Sequence, residues 1–239
     1  MMGIASLNPS YISLLHVLMK RMAKPGLILM MGVSISACST SWKEEVQLHD
    51  GNKIIVKRSQ SRGGGHEIGQ EVPVNEHKIF FTLPGTHRAI TWETTFGQDI
   101  NDSNLIPLAL DVINGTPYIA TTNAGCIAYN KWGRPNPPYV FFKYDSEAWQ
   151  RISLEEFPTE IKEANLVIGL QLHERRLSSH SGALSAEEVK SINAESRSSE
   201  VSYLRLFVRE PMASEWCATW KLNSFKAPIP IPSGDSTKE

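Results

Sequence analysis

Leu105-Ile106-Pro107-Leu108-Ala109-Leu110-Asp111-Val112-Ile113-Asn114-Gly115-Thr116-Pro117-Tyr118-Ile119-Ala120-Thr121-Thr122 decides how the rest of the chain is read. Two apolar runs flank Asn114-Gly115, a dipeptide suited to a two-residue hairpin because both turn positions need positive φ. Downstream, Tyr139 to Tyr144 is apolar on both faces, as expected of a central strand, and Asp145-Ser146-Glu147 turns it towards Trp149-Gln150-Arg151-Ile152-Ser153-Leu154. Upstream, Trp42, Glu44, Val46 and Leu48 alternate with Lys43, Glu45, Gln47 and His49, and Asp50-Gly51-Asn52 leads into Lys53-Ile54-Ile55-Val56-Lys57. Another pair, His77 to Leu83 and Ala89 to Thr94, is divided by Pro84-Gly85. Successive hairpins of this kind predict an antiparallel sheet.

One helix interrupts the strands. Ser185 and Glu188 have the spacing of a capping box, and Leu184 and Val189 that of a hydrophobic staple, so a helix should start at Ser185 and run to about Glu195. Its narrow stripe, Val189 and Ile192, predicts a place on the rim of the sheet. Beyond it, alternation predicts a strand with Leu204, Leu206 and Val208 on one face. A second, after Pro211, would carry Trp216, Ala218, Trp220 and Leu222. The expected fold is mainly β, an antiparallel meander of hairpins forming a sandwich or a partial propeller-like sheet, with one short helix in the C-terminal half. Phe142-Lys143-Tyr144-Asp145 with Trp149-Gln150-Arg151 resembles the strand pairs of β-propeller blades, but no repeat period supports a complete propeller.

The N-terminus carries a signal of another kind. Lys20, Arg21 and Lys24 form a basic region, Gly26 to Val33 a short apolar one, and Ile35-Ser36-Ala37-Cys38 ends it. This is the order of an export signal, and the apolar run is shorter than the ~20 residues a helix needs to span a bilayer. Ile35-Ser36-Ala37-Cys38 resembles the lipobox of bacterial lipoproteins. The resemblance implies diacylglyceryl transfer to the Cys38 sulfur, cleavage between Ala37 and Cys38, and further acylation, palmitate included, giving stable membrane anchoring. The bland reading is a buried helix whose cysteine packs as a small hydrophobe. Ser39 follows the cysteine rather than Asp, which in the enterobacterial sorting pattern favours the outer membrane, on its periplasmic face. Met1 to Leu18 lacks the charge expected at the start of a signal peptide, so Met19 or Met22 is the more natural initiator. Trp42 to Ser59 and Asn130 to Pro158 also resemble an uncharacterised group of proteobacterial lipoproteins, to which no activity is attached.

The expected organisation is a signal peptide over 1–37, a lipidated tether over 38–41, one mostly-β domain over 42–227, and an extended tail over 228–239 in which Pro228, Pro230 and Pro232 bar a central strand. The chain has 24 basic and 25 acidic side chains, and three of the basic ones lie before Cys38, leaving 21 against 25 from there on. A mildly acidic domain lacks the basic footprint of a nucleic-acid binder.

With Cys38 lipidated, Cys126 and Cys217 are the remaining pair. An exported chain allows a disulfide between them. If Trp216 and Trp220 face the core, however, Cys217 points outward and needs a partner on that face, so bonded and free thiols both stay open. A free Cys126, with His173 or His180 as base, would suit a cell-wall hydrolase of cysteine-peptidase type. Against that, Cys126 is expected in a strand or loop rather than opening a helix that would lower its pKa.

Other catalytic signals are weak. Arg62-Gly63-Gly64-Gly65-His66-Glu67-Ile68-Gly69 reads as a loop without the spacing of a P-loop, and His66-Glu67 lacks a second histidine at helical spacing, so neither a metal nor a cofactor is implied. Asp99, Asp102, Glu155 and Glu156 include carboxylates of the type glycosidases pair, but Ser153-Leu154-Glu155-Glu156 is also an ordinary capping box. The most distinctive segment is Tyr129 to Tyr139, whose prolines hold an extended loop and whose Trp132, Arg134 and Tyr139 are interface or sugar-stacking types. The plainer reading is a crossing loop whose aromatics plug the end of the sheet. Two functions follow as expectations: a noncatalytic membrane-anchored envelope lipoprotein binding a protein or glycan partner through loops, or the Cys126 hydrolase. The first is favoured.

Overall fold

Local turn chemistry sets the frame. At the first hairpin Gly51 takes φ +85°, the Leu48 N–H donates to the Asn52 carbonyl at 2.8 Å, and Asp50 Oδ1 accepts the Asn52 N–H. Asn114 and Gly115 both have positive φ, 51° and 77°, as a tight two-residue hairpin requires. Ser146 and Glu147 do the same at the fourth hairpin without glycine's freedom. The structure is a computed structural model that describes residues 39–63, 68–69, 72–94, 105–168, 176–177, 179–195, 202–213 and 217. The chain divides into two units, Met1–Ser36 and Ala37–Glu239, and all described residues belong to the second. The export signal and Cys38, His66, Glu67, Asp99, Asp102, His173, Trp216, Trp220 and the tail lie outside the described residues.

Strands β1 (Ser39–Gln47), β2 (Lys53–Arg62), β3 (Val74–Thr82) and β4 (Ala89–Glu93) form an antiparallel meander. A two-residue strand, β9 (Ala183–Leu184), joins its β1 edge in parallel. The second sheet is a meander of β5 (Leu105–Ile113), β6 (Thr116–Asn123), β7 (Tyr139–Asp145) and β8 (Ala148–Ile152). The fold is thus mainly β, in two sheets. Three helices are present among the described residues: α1 (Cys126–Lys131), α2 (Ala186–Glu195) and α3 (Ser202–Arg205).

The sheets pack face to face. Val46, Val56, Ile79, Phe81, Ile90 and Trp92 of the first share one core with Leu110, Val112, Ile119, Val140 and Phe142 of the second. A bulge between Pro107 and Ala109 shifts the parity of β5, so that Leu105 and Leu110 both serve this core while Leu108 and Ala109 face the other way. On that far side Phe157, Ile161, Tyr203, Leu204 and Phe207 cover the second sheet, with Phe157 stacked on Phe141 at 4.2 Å. A third cluster seats Val189 and Ile192 of α2 against Trp42, Val167, Leu177 and Leu184. The capping box at its start forms: the Glu188 N–H donates to Ser185 Oγ, and Glu188 Oε2 accepts the Ser185 N–H at 2.8 Å.

Three expectations are corrected. Ser39 to Ser41, read as tether, already belong to β1 and pair with Ser61, Gln60 and Ser59. The sheet is not wholly antiparallel, because β9 lies parallel to β1. The strand expected at Leu204, Leu206 and Val208 is the short helix α3 followed by irregular chain, with Leu206 and Val208 exposed. Tyr203 and Leu204 of α3 and Phe207 just beyond it pack on the second sheet, while Leu206 makes a single antiparallel bridge to Glu163.

Candidate functional site

A polar site lies where β1 turns into its hairpin. β1 ends at Gln47 and Leu48 enters the core, which leaves His49 on the turn beside Asp111 of β5. The His49 N–H donates to Asp111 Oδ2 at 2.9 Å, and the ring Nδ1 meets Asp111 Oδ1 at 2.8 Å. Oδ1 also accepts the Val112 N–H at 2.7 Å. Asp111 is buried and His49 is about a quarter exposed. Three hydrogen bonds hold the Asp111 carboxylate in place, and its Oδ1 favours the His49 tautomer that carries the proton on Nδ1 and turns Nε2 away from it. The bond to Asp111 raises the His49 pKa, with smaller contributions from Asp50 and Glu160.

This pair lines a cleft of about 610 Å³. Its polar wall carries Glu160, Lys162, Glu163 and Lys190, its apolar floor Leu48, Ile161, Val189 and Leu206. Lys190 lies 3.9 Å from Glu163. Asn165 sets the cleft's position, since its amide donates to the Gln47 and Leu110 carbonyls and accepts the Leu110 N–H, tying β1 of one sheet to β5 of the other. A carboxylate-oriented imidazole can exchange protons with a ligand or bind an anionic group. The described lining residues include no Ser, Thr or Cys; the chemically active side chains they do include are His49, two lysines and three carboxylates.

A second polar group is buried on the inner face of the first sheet, under Val167 and beside the cluster that α2 covers. Arg58 Nη1 donates to Glu44 Oε1 at 3.0 Å and to the Val167 carbonyl at 2.9 Å, and the guanidinium lies 5.0 Å from the Trp42 ring. The Trp42 indole N–H donates to Glu44 Oε2 at 2.9 Å. His77 is buried nearby. Burial, and then the charge of Arg58, push its pKa down to about 3, so it is neutral across the ordinary range. These contacts hold the buried charges of Arg58 and Glu44 in place.

The residues singled out from sequence are placed as follows. Cys126 and Cys217 are joined by a disulfide with Cα atoms 5.5 Å apart. Cys126 opens α1 instead of lying in a strand or loop. The six-residue helix has too few apolar positions to show a period, and Gly125 in extended conformation begins it. Cys217 has φ +58°, a turn geometry rather than the expected strand alternation. With its sulfur bonded, Cys126 supplies no thiolate for attack. The hydrogen bonds from Ser185, at the start of α2, lower the Glu188 pKa, with a smaller contribution from His180 nearby. Glu156 closes a capping box with Ser153, accepting its N–H at 2.9 Å.

In the Trp132 to Tyr139 loop, Tyr139 is buried, donates its hydroxyl to the Tyr203 carbonyl at 2.6 Å and accepts the Val208 N–H. Burial raises its pKa to about 12. Trp132 packs edge-on against Phe142, with Arg151 5.4 Å from its ring, and Arg134 stacks on Tyr129 at 4.9 Å while bonding Asn130. All three side chains are engaged in packing within the domain. The His49–Asp111 pair was not singled out from sequence. Its only local signal is a lone aspartate inside the apolar run Leu105 to Ile113.

Comparison with family models, with curated proteins and with solved structures finds no match to the chain.

Proposed function

We propose that the protein is a noncatalytic lipoprotein of the cell envelope, anchored by acyl chains on Cys38 to the periplasmic face of the outer membrane, whose domain binds a protein or glycan partner. The observation that carries this reading is the Cys126–Cys217 disulfide. Such bonds persist outside the reducing cytoplasm, where the lipobox Ile35-Ser36-Ala37-Cys38 would deliver the chain. The same bond argues against the thiol-peptidase alternative, because it ties up the nucleophile that alternative requires. The His49 cleft is the recognition surface best suited to a partner, since it offers an oriented imidazole, two lysines and two further carboxylates above an apolar floor.

The test is metabolic labelling with a fatty acid in a Gram-negative host, followed by membrane fractionation and thiol titration. Label should enter the wild-type chain and be absent from Cys38→Ala, and the purified protein should show no free thiol until reduced. An unlabelled soluble wild type would overturn the anchor. Free thiols at Cys126 and Cys217 would remove the main support for export.

A further inference from the structure

The outer face of the first sheet carries a pattern that its own folding does not require. Lys43 of β1 and Lys57 of β2 are paired residues in the ladder, so two like charges stand directly opposite each other, an arrangement that weakens a sheet. Both are exposed, and among the described residues neither forms an ion pair with a carboxylate, unlike Lys53, Lys78 and Arg58 of the same sheet. The other lysines of this face are neutralised, Lys53 by Glu45 at 2.9 Å and Lys78 by Glu93 at 2.9 Å. Beside these two charges lie Ile55 and Phe80, which are 52% and 43% exposed, and Phe80 is itself the ladder partner of Lys57. Edge protection is no explanation, because β1 and β2 both have neighbours on each side.

We infer that this face, centred on Lys43, Lys57, Ile55 and Phe80, is a docking surface for anionic phospholipid headgroups. The inference rests on the lipid anchor proposed above. β1 begins at Ser39, so Cys38 adjoins the sheet with no spacer, and Lys43 stands five residues away, about 17 Å along an extended strand. Acyl chains at the N-terminal end of β1 would hold this face near the bilayer surface. There the two ammonium groups meet headgroup phosphates, and the two apolar side chains enter the interfacial layer.

The experiment is amine footprinting by acetylation and peptide mass spectrometry on the full-length processed lipoprotein. It is reconstituted in phosphatidylglycerol/phosphatidylethanolamine vesicles, in vesicles of phosphatidylcholine alone, and in detergent. Lys43 and Lys57 should be labelled about tenfold more slowly than Lys162 and Lys190 in the anionic vesicles only, the scale expected for two lysines at a charged surface. Lys43→Glu combined with Lys57→Glu should free Lys53 and Lys78, on the same face, to the Lys162 rate. Equal labelling in anionic vesicles of a protein that does incorporate would overturn the docking surface and leave the anchor standing. Protection that persists in detergent would assign the face to a second copy of the chain. A protein that neither carries acyl chains nor enters vesicles would overturn both.

Discussion

Glu44 and Arg58 face each other across β1 and β2 at 3.0 Å, with side chains 0% and 1% exposed. A buried ion pair costs desolvation of both partners, and here Trp42 and the Val167 carbonyl satisfy further hydrogen-bonding positions. Removing one partner strands the other. Glu44→Ala or Arg58→Met should each destabilise the domain by about 3–5 kcal/mol, and the double change should cost less than the sum of the two. Urea unfolding of the four proteins measures this, and additive losses would show that the charges do not interact.

His77 makes stability depend on pH. Its folded pKa, about 3, lies below the ordinary 6.5, so between those values the unfolded chain binds a proton that the folded one refuses. Stability therefore falls as pH drops through this window, by roughly 2 kcal/mol between pH 6.5 and pH 5. His77→Gln should flatten that slope in unfolding midpoints taken at pH 7 and pH 5.

His49 acts with the opposite sign. Its pKa is raised by Asp111, so its contribution is fully present below the unfolded value and is lost as pH rises through the raised folded one. An NMR titration of the imidazole C–H signals should place His49 above an ordinary histidine, and Asp111→Asn should bring it back down. Identical midpoints in the two proteins would exclude Asp111 as the cause.

The disulfide spans a sequence separation of 91 residues, and closing a loop of that size constrains the unfolded chain by about 4–5 kcal/mol in the chain-entropy account. Cys126→Ser with Cys217→Ser should lower the Tm accordingly, and reductant should lower that of the wild type but not of the variant.

Asn165 joins the sheets through three backbone groups. In Asn165→Asp the amide donor is lost and the Gln47 and Leu110 carbonyls lose that partner, a cost of about 1–3 kcal/mol at the part-buried Leu110 carbonyl and less at the exposed Gln47 one. Hydrogen exchange should quicken first near Leu110 and Gln47; uniform quickening across both sheets would instead indicate global loosening.

The four hairpins and helix α2 could be read from the chain because each depends on residues within a few positions of one another. Asn114-Gly115 supplies its own turn, and Ser185 with Glu188 its own cap. Glu44 was half legible, since alternation put it on the same face as Trp42 and Val46, where a carboxylate needs a cation. Its partner, on the next strand, emerges only once register pairs Trp42 with Arg58. The helical start at Cys126 and the α3 turn were missed because short helices leave too few residues to betray a period.

By itself, then, the sequence determined the four hairpins and the capped helix, all of which are encoded in neighbouring residues. Tertiary structure alone decided that two meanders stack face to face and that β9 pairs in parallel with β1. It also decided that Asp111 reaches His49 from 62 residues away and that Cys126 meets Cys217. Those contacts depend on how separate elements bury their apolar faces against one another, a free energy shared across the whole core rather than held in any one segment.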